Sequence, residues 1–404
     1  MKSVVIIGAS HAAAEAISTL RKKGWQGKIS LIGDEPSLPY QRPPLSKSYY
    51  KGEVDVEKLL LKKPQFYTDA SVDLYLGRTA ELINRDSKHV VLDGDEKIPY
   101  DKLILATGTR ARLLPIDGAD LPNIHYLRTI ADVDAIKQNL KSGSKLLIVG
   151  AGYIGLEVAA SAVKQGVEVV VLEAMDRVLA RVTSPVVSEF YQKRHADEGV
   201  DIRLNTTLSK FVAGETGTRA ILADGEQIEF DAAIIGIGVI PNSEIAAAAG
   251  LECDNGVLVD EFTCSNDPDI YAVGDCSNHP SFIYDRRIRL ESVPNSVAQA
   301  KIAALAICDE NIRYDQIPWF WSDQYDVKLQ TAGLLTGYDS IIVRGDVNTQ
   351  KFSVFYLFNG KLLAVDAINS PAEFMISKKL IVAGKQLDVD KIQDQEIPIK
   401  KLLE

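Results

Sequence analysis

The chain has 404 residues, 46% of them hydrophobic, enough to bury two or three separate cores. A formal net charge of −10 argues against a nucleic-acid-binding surface. No stretch of 18 uninterrupted apolar residues occurs, so no membrane span is expected. The four cysteines, Cys253, Cys264, Cys276 and Cys308, include no Cys-x-x-Cys or similarly close pair. They read as reduced thiols of a cytoplasmic protein, with no redox clamp and no metal site.

The first element is an apolar run, Val4 to Ile7, followed by Gly8, Ser10, Ala12 and Ala13. This is a buried parallel strand, a sharp turn and the start of a helix, whose N-terminal N–H groups suit a pyrophosphate. The same residues imitate a short secretory signal, but Glu15 inside the run fits the helix better. A second strand, Ile29 to Gly33, ends in Asp34 and Glu35, where an acid is expected to bind a ribose hydroxyl. The turn departs from Gly-x-Gly-x-x-Gly at two places. Ala13 needs only close helix packing, whereas Ser10 sets a side chain where backbone normally approaches phosphate. Either Ser10 has negative φ and its hydroxyl donates a hydrogen bond, or the site is looser than usual.

Asp101 to Gly108 reads as another buried strand, closing in the turn Ala106, Thr107, Gly108. The strand, turn, helix, strand and acid then recur. Leu146 to Val149 leads into Gly150, Gly152, Tyr153, Ile154 and Gly155, and Val169 to Leu172 ends in Glu173. This copy has all three glycines. A carboxylate at Glu173 pairs with a ribose 2′-OH and repels a 2′-phosphate, so NADH is expected over NADPH, with Arg177 as a nearby cation that could partly accommodate the phosphate. A strand from Ala232 runs into Gly236 and Gly238, and the segment Asp269 to Cys276 delivers Asp275 at a strand's C-terminal edge. From about Asn311 the pattern becomes alternating strands with an Asn359-Gly360 hairpin turn, then a helix from Pro371. The expected fold class is therefore α/β, with two Rossmann-like dinucleotide-binding domains and a C-terminal α+β domain. Expected boundaries are 1–110 with 240–310 for the first, discontinuous domain, 111–239 for the second and 311–404 for the third.

Taken with Tyr40 to Lys47, the Ala-Thr-Gly turn, the Val-Gly-Asp-Cys segment and Trp319 to Tyr325, these motifs run through essentially the whole chain. They resemble the FAD-dependent NADH:ferredoxin reductases that serve oxygenases, cytochrome P450 systems among them, which share a glutathione-reductase-like fold. The resemblance implies FAD in the first turn and NADH in the second. By matched motif it implies Ala12 at the FAD pyrophosphate, Asp34 at the ribose, Lys47 at the isoalloxazine, Ala80 on the adenine side and Arg128 at the phosphate or ribityl region. Thr107, Gly108, Asp275 and Val293 are further flavin contacts, with Arg42 a weaker addition. Glu157, just past Gly155, is implied near the nicotinamide and Lys47, so Lys47 and Glu157 form the expected catalytic pair. Gly238 is assigned to the NAD site. The competing roles are a solvated loop lysine for Lys47, a turn-capping acid for Asp275 and a helix-dipole partner for Glu157.

Disulfide reductases of this fold use an adjacent cysteine pair and a C-terminal histidine, and no histidine follows His279. A one-electron carrier, a [2Fe–2S] ferredoxin, is the expected acceptor. Its docking is assigned to a local basic patch of Arg286, Arg287, Arg289, Lys328, Lys400 and Lys401, residues that read equally well as ordinary solvated cations. The Trp319 to Tyr325 aromatics are expected to be mainly structural. Alternatives are a rubredoxin or dioxygenase-linked acceptor, an NADH oxidase or peroxidase using Cys276, and an NADH-sensing flavoprotein.

Overall fold

The computed structural model describes residues 2–214 and 217–404; Met1, where the expected first domain begins, and residues 215–216 of the expected second lie outside the described residues. The chain forms two compact units, one of residues 1–41, 57–110 and 240–318, the other of 42–56, 111–239 and 319–404.

The first unit is built on a five-stranded sheet, in the order Ile270–Ala272, Lys102–Leu105, Ser3–Ile7, Lys28–Gly33, Val72–Leu76. Every pair is parallel. The Val4 to Ile7 run is continuous and apolar because both faces of this strand are covered. On one face, helix His11–Lys22 packs through Ala13, Ala16, Ile17 and Leu20 against Ala300, Ala303, Ala304 and Ile307 of helix Val293–Ile307. Alanines at the contact let the two helices approach closely. Ser3–Ile7 has the following strand on one side and a later strand on the other, so Gly8 sits at the topological switch point, where open α/β sheets bind ligands.

The second unit repeats the plan. Its parallel sheet runs Asp201–Arg203, Glu168–Leu172, Lys145–Val149, Ala232–Ile235, Ile124–Tyr126, and places Gly150 at the equivalent switch point. The same unit holds an antiparallel sheet in the order Trp319–Gln324, Val327–Gly333, Lys361–Ile368, Lys351–Phe358, Ser340–Asp346. The expected hairpin is present, with Asn359 and Gly360 both at positive φ (48° and 73°), as a type I′ turn needs. Helix Pro371–Ala383 follows and ends at Gly384 in the left-handed conformation. The α/β class with a C-terminal α+β region is thus what the chain adopts.

Residues 42–56 fall in the second unit, whereas the sequence reading placed them in the first domain. The short 3-10 helix Pro43–Ser46 is tied to helix Tyr153–Val163, with Ser161 Oγ donating to Ser46 O at 2.8 Å. Tyr49 donates to Asp134 at 2.9 Å. Contacts so distant in sequence leave no local mark.

Candidate functional sites

In the first unit Gly8 has φ +107°, and a Cβ there would stand 2.1 Å from Ala106 O. Only glycine admits this crossing of two backbones. Ser10 is the N-cap of helix His11–Lys22, with φ −138°, so its side chain causes no backbone strain. Its hydroxyl makes no capping bond and stands 3.4 Å from His11 Nδ1. The first turn of that helix has no acidic side chain to occupy its N–H groups. Asp34 is exposed just past strand Lys28–Gly33, while its neighbour Glu35 accepts a 2.5 Å bond from Tyr40.

Thr107 Oγ1 donates to Asn242 O at 2.6 Å and Asn242 Nδ2 donates back to Thr107 O at 2.9 Å, clamping the turn that ends in Gly108 (φ +62°). Asp275, in the short helix Gly274–Cys276, accepts from Thr109 at 3.2 Å and Ser296 at 3.4 Å. Val293 opens the helix capped by Ser292, and Ala80 starts strand Ala80–Asn84. A cradle at a helix N-terminus, a ribose acid and a second acid at the sheet's C-terminal edge fit a dinucleotide such as FAD.

In the second unit the three glycines have different reasons. A Cβ on Gly150 (φ +106°) would meet Gly236 O at 2.5 Å, and one on Gly155 would meet Gly150 O at 2.3 Å. One on Gly152 would meet nothing within 4 Å. Packing therefore excludes side chains at the outer glycines, while the middle one keeps an open approach to the helix N-terminus, the cradle a pyrophosphate needs.

Glu173 does more than the sequence indicates. Its carboxylate accepts from Ala151 N at 2.8 Å and Met175 N at 2.9 Å, fixing the glycine turn itself. The Arg177 guanidinium donates to Thr183 O, Ser188 Oγ and Ala180 O at 2.7–2.9 Å. These bonds tie it to its own loop and to helix Pro185–Asp197. Ile154 is exposed beside the turn, and Gly238 lies at φ +107° with its carbonyl accepting from Arg112 N at 2.9 Å.

Arg42, Lys47 and Arg128, expected to serve the first nucleotide, belong to the second unit. Arg42 donates to Arg128 O at 2.8 Å. Lys47 forms a 2.6 Å ion pair with Glu157 Oε2, whose carboxylate is almost fully buried in helix Tyr153–Val163. Ser46 Oγ donates to the same oxygen, and Ser322 Oγ donates to Oε1, each at 2.6 Å. A buried carboxylate thus meets one cation and two hydroxyl donors, the condition for keeping charge away from water.

Ser322, Gln324 and His195 were missed by sequence reasoning. Ser322 and Gln324 lie two apart on strand Trp319–Gln324 and are both buried, a period-two polar pair inside an aromatic strand. That pairing is the one signal the sequence carries. The aromatics pack as expected, with Phe320 edge-on to Tyr153 at 4.7 Å and Trp319 against Phe374 at 5.6 Å.

Of the expected basic patch, Arg286, Arg287 and Arg289 lie in the first unit and Lys328, Lys400 and Lys401 in the second. Arg287 donates to Val259 O at 2.6 Å, and Arg289 pairs with Glu291 at 2.6 Å. Both are engaged with their own unit.

All four cysteines are free, and burial pushes the Cys276 thiol up, away from the reactive thiolate. Among the described residues no group of His, Cys, Asp and Glu side chains could hold a metal ion, and no helix is long and apolar enough to cross a membrane.

Two buried histidines make stability depend on pH. Burial lowers both His195 and His279 to about 4. The unfolded chain takes up these protons near pH 6.5 and the folded chain does not, so stability present above pH 6.5 is lost as pH falls toward 4. The expected loss is about 2 kcal/mol per histidine between pH 7.5 and 5. Asp366, raised by burial, acts in the opposite sense, since its protonation favours the fold. Denaturant midpoints should fall over this range, and His195→Gln should remove about half the fall. A slope unchanged by His195→Gln and by His279→Gln would refute the assignment.

The chain matches the family model described as pyridine nucleotide-disulphide oxidoreductase over residues 2–300, and the reductase C-terminal model over 319–403. It is 43% identical to rhodocoxin reductase of Rhodococcus erythropolis, covering 98% of this chain and 93% of that one. It is 42% identical to putidaredoxin reductase CamA of Pseudomonas putida, covering 99% and 96%. Among solved structures it is similar to the covalent putidaredoxin reductase–putidaredoxin complex, with a TM-score of 0.96, 42% identity, and 100% and 98% of the two chains covered.

Proposed function

The chain belongs to the pyridine nucleotide-disulphide oxidoreductase family and carries its reductase C-terminal domain, and from that membership we propose that it is an FAD-dependent NADH:ferredoxin reductase. Its product is a reduced [2Fe–2S] ferredoxin that feeds an oxygenase, a cytochrome P450 in the first instance. The observation that carries this reading is the pair of glycine cradles, one in each unit, each with its own acid at the end of the next strand. The full-length likeness to reductases named for putidaredoxin and rhodocoxin supports the acceptor. We read the protein as cytoplasmic.

FAD, when bound, accepts two electrons together from NADH and releases them one at a time. The chain's residues bind, orient and hold charge. Gly8, Ser10, Ala12 and Ala13 present the helix N-terminus to the FAD pyrophosphate, Asp34 takes the ribose, and Thr107, Gly108, Asp275, Ala80 and Val293 complete that site. Gly150, Gly152, Tyr153, Ile154, Gly155 and Gly238 receive NADH, with Glu173 at the ribose. Glu173 offers a carboxylate where NADPH would bring a phosphate, and the Arg177 guanidinium is held by Thr183, Ala180 and Ser188. Arg42 and Arg128 support the flavin side. Lys47 and Glu157 are read as the charged pair of the reaction: an ammonium held by a buried carboxylate would supply fixed positive charge to a flavin that gains negative charge on reduction.

The protein reduced anaerobically with NADH should be reoxidised by a [2Fe–2S] ferredoxin far faster than by dissolved oxygen. NADPH should reduce it poorly. Reoxidation by oxygen or peroxide at the faster rate would favour an oxidase or peroxidase instead.

A further inference from the structure

Behind the Lys47–Glu157 pair the second unit holds a continuous set of buried polar side chains. Ser322 Oγ donates to Glu157 Oε1 at 2.6 Å, and Gln324 Nε2 donates to Ser322 Oγ at 3.2 Å. His195 Nε2 lies 2.8 Å from Gln324 Oε1, and Tyr325 OH lies 3.0 Å from His195 Nδ1. Ser322 and His195 are fully buried and Gln324 is 1% exposed. The outer end is closed by ion pairs: Arg194 with Glu198 at 2.8 Å and Asp326 at 2.9 Å, and Lys164 with Glu198 at 2.8 Å. Arg194 and Lys164 also stand over the Tyr325 ring, at 4.8 and 5.6 Å.

The direction of every bond follows from Glu157. A carboxylate only accepts, so the single Ser322 proton points to it. Ser322 Oγ must then accept, which turns the Gln324 amide nitrogen toward it. The Gln324 carbonyl therefore faces His195, so Nε2 carries the imidazole proton and Nδ1 accepts from Tyr325. A proton on Glu157 Oε1 would reverse all of this. On Oε2 it would face the Lys47 ammonium, which offers no acceptor, and would turn the Ser46 hydroxyl from donor to acceptor, so that oxygen would lose both of its charge-assisted contacts. On Oε1 it would force Ser322 to donate to Gln324, the buried amide to rotate by half a turn, and the imidazole to carry its proton on Nδ1.

We propose that Ser322, Gln324, His195 and Tyr325 form a one-way hydrogen-bonded string that locks Glu157 as the charged partner of Lys47, making Ser322 and Gln324 positioning residues of the reductase reaction. The inference rests on the ferredoxin-reductase reading for the use made of the pair, and on geometry for the string. The amide at its centre cannot relay a proton, so the string holds charge and does not conduct it. Other titratable groups near it are Arg194 and Glu198 beside His195, and the neutral Tyr191, which feels Glu157, Asp366 and Asp323.

The test combines the tautomer with the pH profile. In the FAD-loaded protein labelled with ¹⁵N-histidine, which has only five histidines, long-range ¹H–¹⁵N spectra identify His195 by its loss in His195→Gln. His195 should be the neutral Nε2–H form and should not titrate between about pH 8 and 5.5. In Ser322→Ala the acid limb of NADH-driven flavin reduction should move up by about one pH unit, since a charge-assisted bond is lost. Gln324→Ala, which leaves the serine bond in place, should give a smaller shift.

An Nδ1–H tautomer, titration above about pH 5.5, or wild-type profiles in both variants would overturn the proposal. If Ser322→Ala does not fold, the wild-type tautomer and Gln324→Ala still decide. Failure of the ferredoxin reading would appear as absent ferredoxin-dependent turnover, with the tautomer and the profile of flavin reduction unaffected.

Discussion

Gly8→Ala is expected to purify folded but without flavin. The added Cβ would sit 2.1 Å from Ala106 O and 2.5 Å from Ala106 C, at φ +107°. No side-chain rotation relieves a clash between two backbones. The turn must open by more than an ångström, and the positive φ adds about 1–3 kcal/mol of strain. The helix N-terminus then no longer faces the pyrophosphate, and FAD affinity should weaken by at least about 100-fold, which is about 3 kcal/mol. Visible absorbance per mole of purified protein reads this directly, with circular dichroism to confirm the fold. Ser10→Gly, which restores the usual glycine, should retain FAD, and so should Gly152→Ala, whose lesion lies in the NADH turn. A fully flavinated Gly8→Ala would contradict the assignment of the first cradle.

Lys47→Met should lower the rate of flavin reduction by NADH by about 100-fold, the scale of losing one preorganised charge. It should also destabilise the protein, because Glu157 would be left buried with two hydroxyl donors and no cation. Breaking a fully buried pair costs about 3–5 kcal/mol. Lys47 keeps 20% of its side chain exposed, so about 2 kcal/mol is expected. The double variant Lys47→Met with Glu157→Gln should recover most of the stability and none of the rate. That split separates a reacting pair from a structural one: recovery of both, or of neither, would contradict the role given to Lys47.

The two dinucleotide units were legible because their signals are local. A buried strand, a glycine turn and an acid about 20 residues on lie within one stretch of chain, and the physics that demands them acts over the same stretch. Asn359-Gly360 was readable for the same reason. What escaped was made by distance in sequence. Nothing near Lys47 marks the attachment of residues 42–56 to helix Tyr153–Val163, because its bonds run from Ser46 to Glu157 and from Ser161 to Ser46. His195 gains its meaning from Gln324, 129 positions away. Arg177 read as a cation that could partly accommodate a phosphate, and only the fold shows its two loop carbonyls and the helix residue Ser188. Of the two Ser10 alternatives, the negative φ is present, while the hydroxyl makes no capping bond.

Steady-state NADH oxidation by the FAD-loaded protein, followed through cytochrome c with and without an added [2Fe–2S] ferredoxin and against oxygen alone, tests the central claim most directly. Strong, saturable stimulation by the ferredoxin is the predicted result. A rate that ignores the ferredoxin, and equals the rate with oxygen, would contradict it.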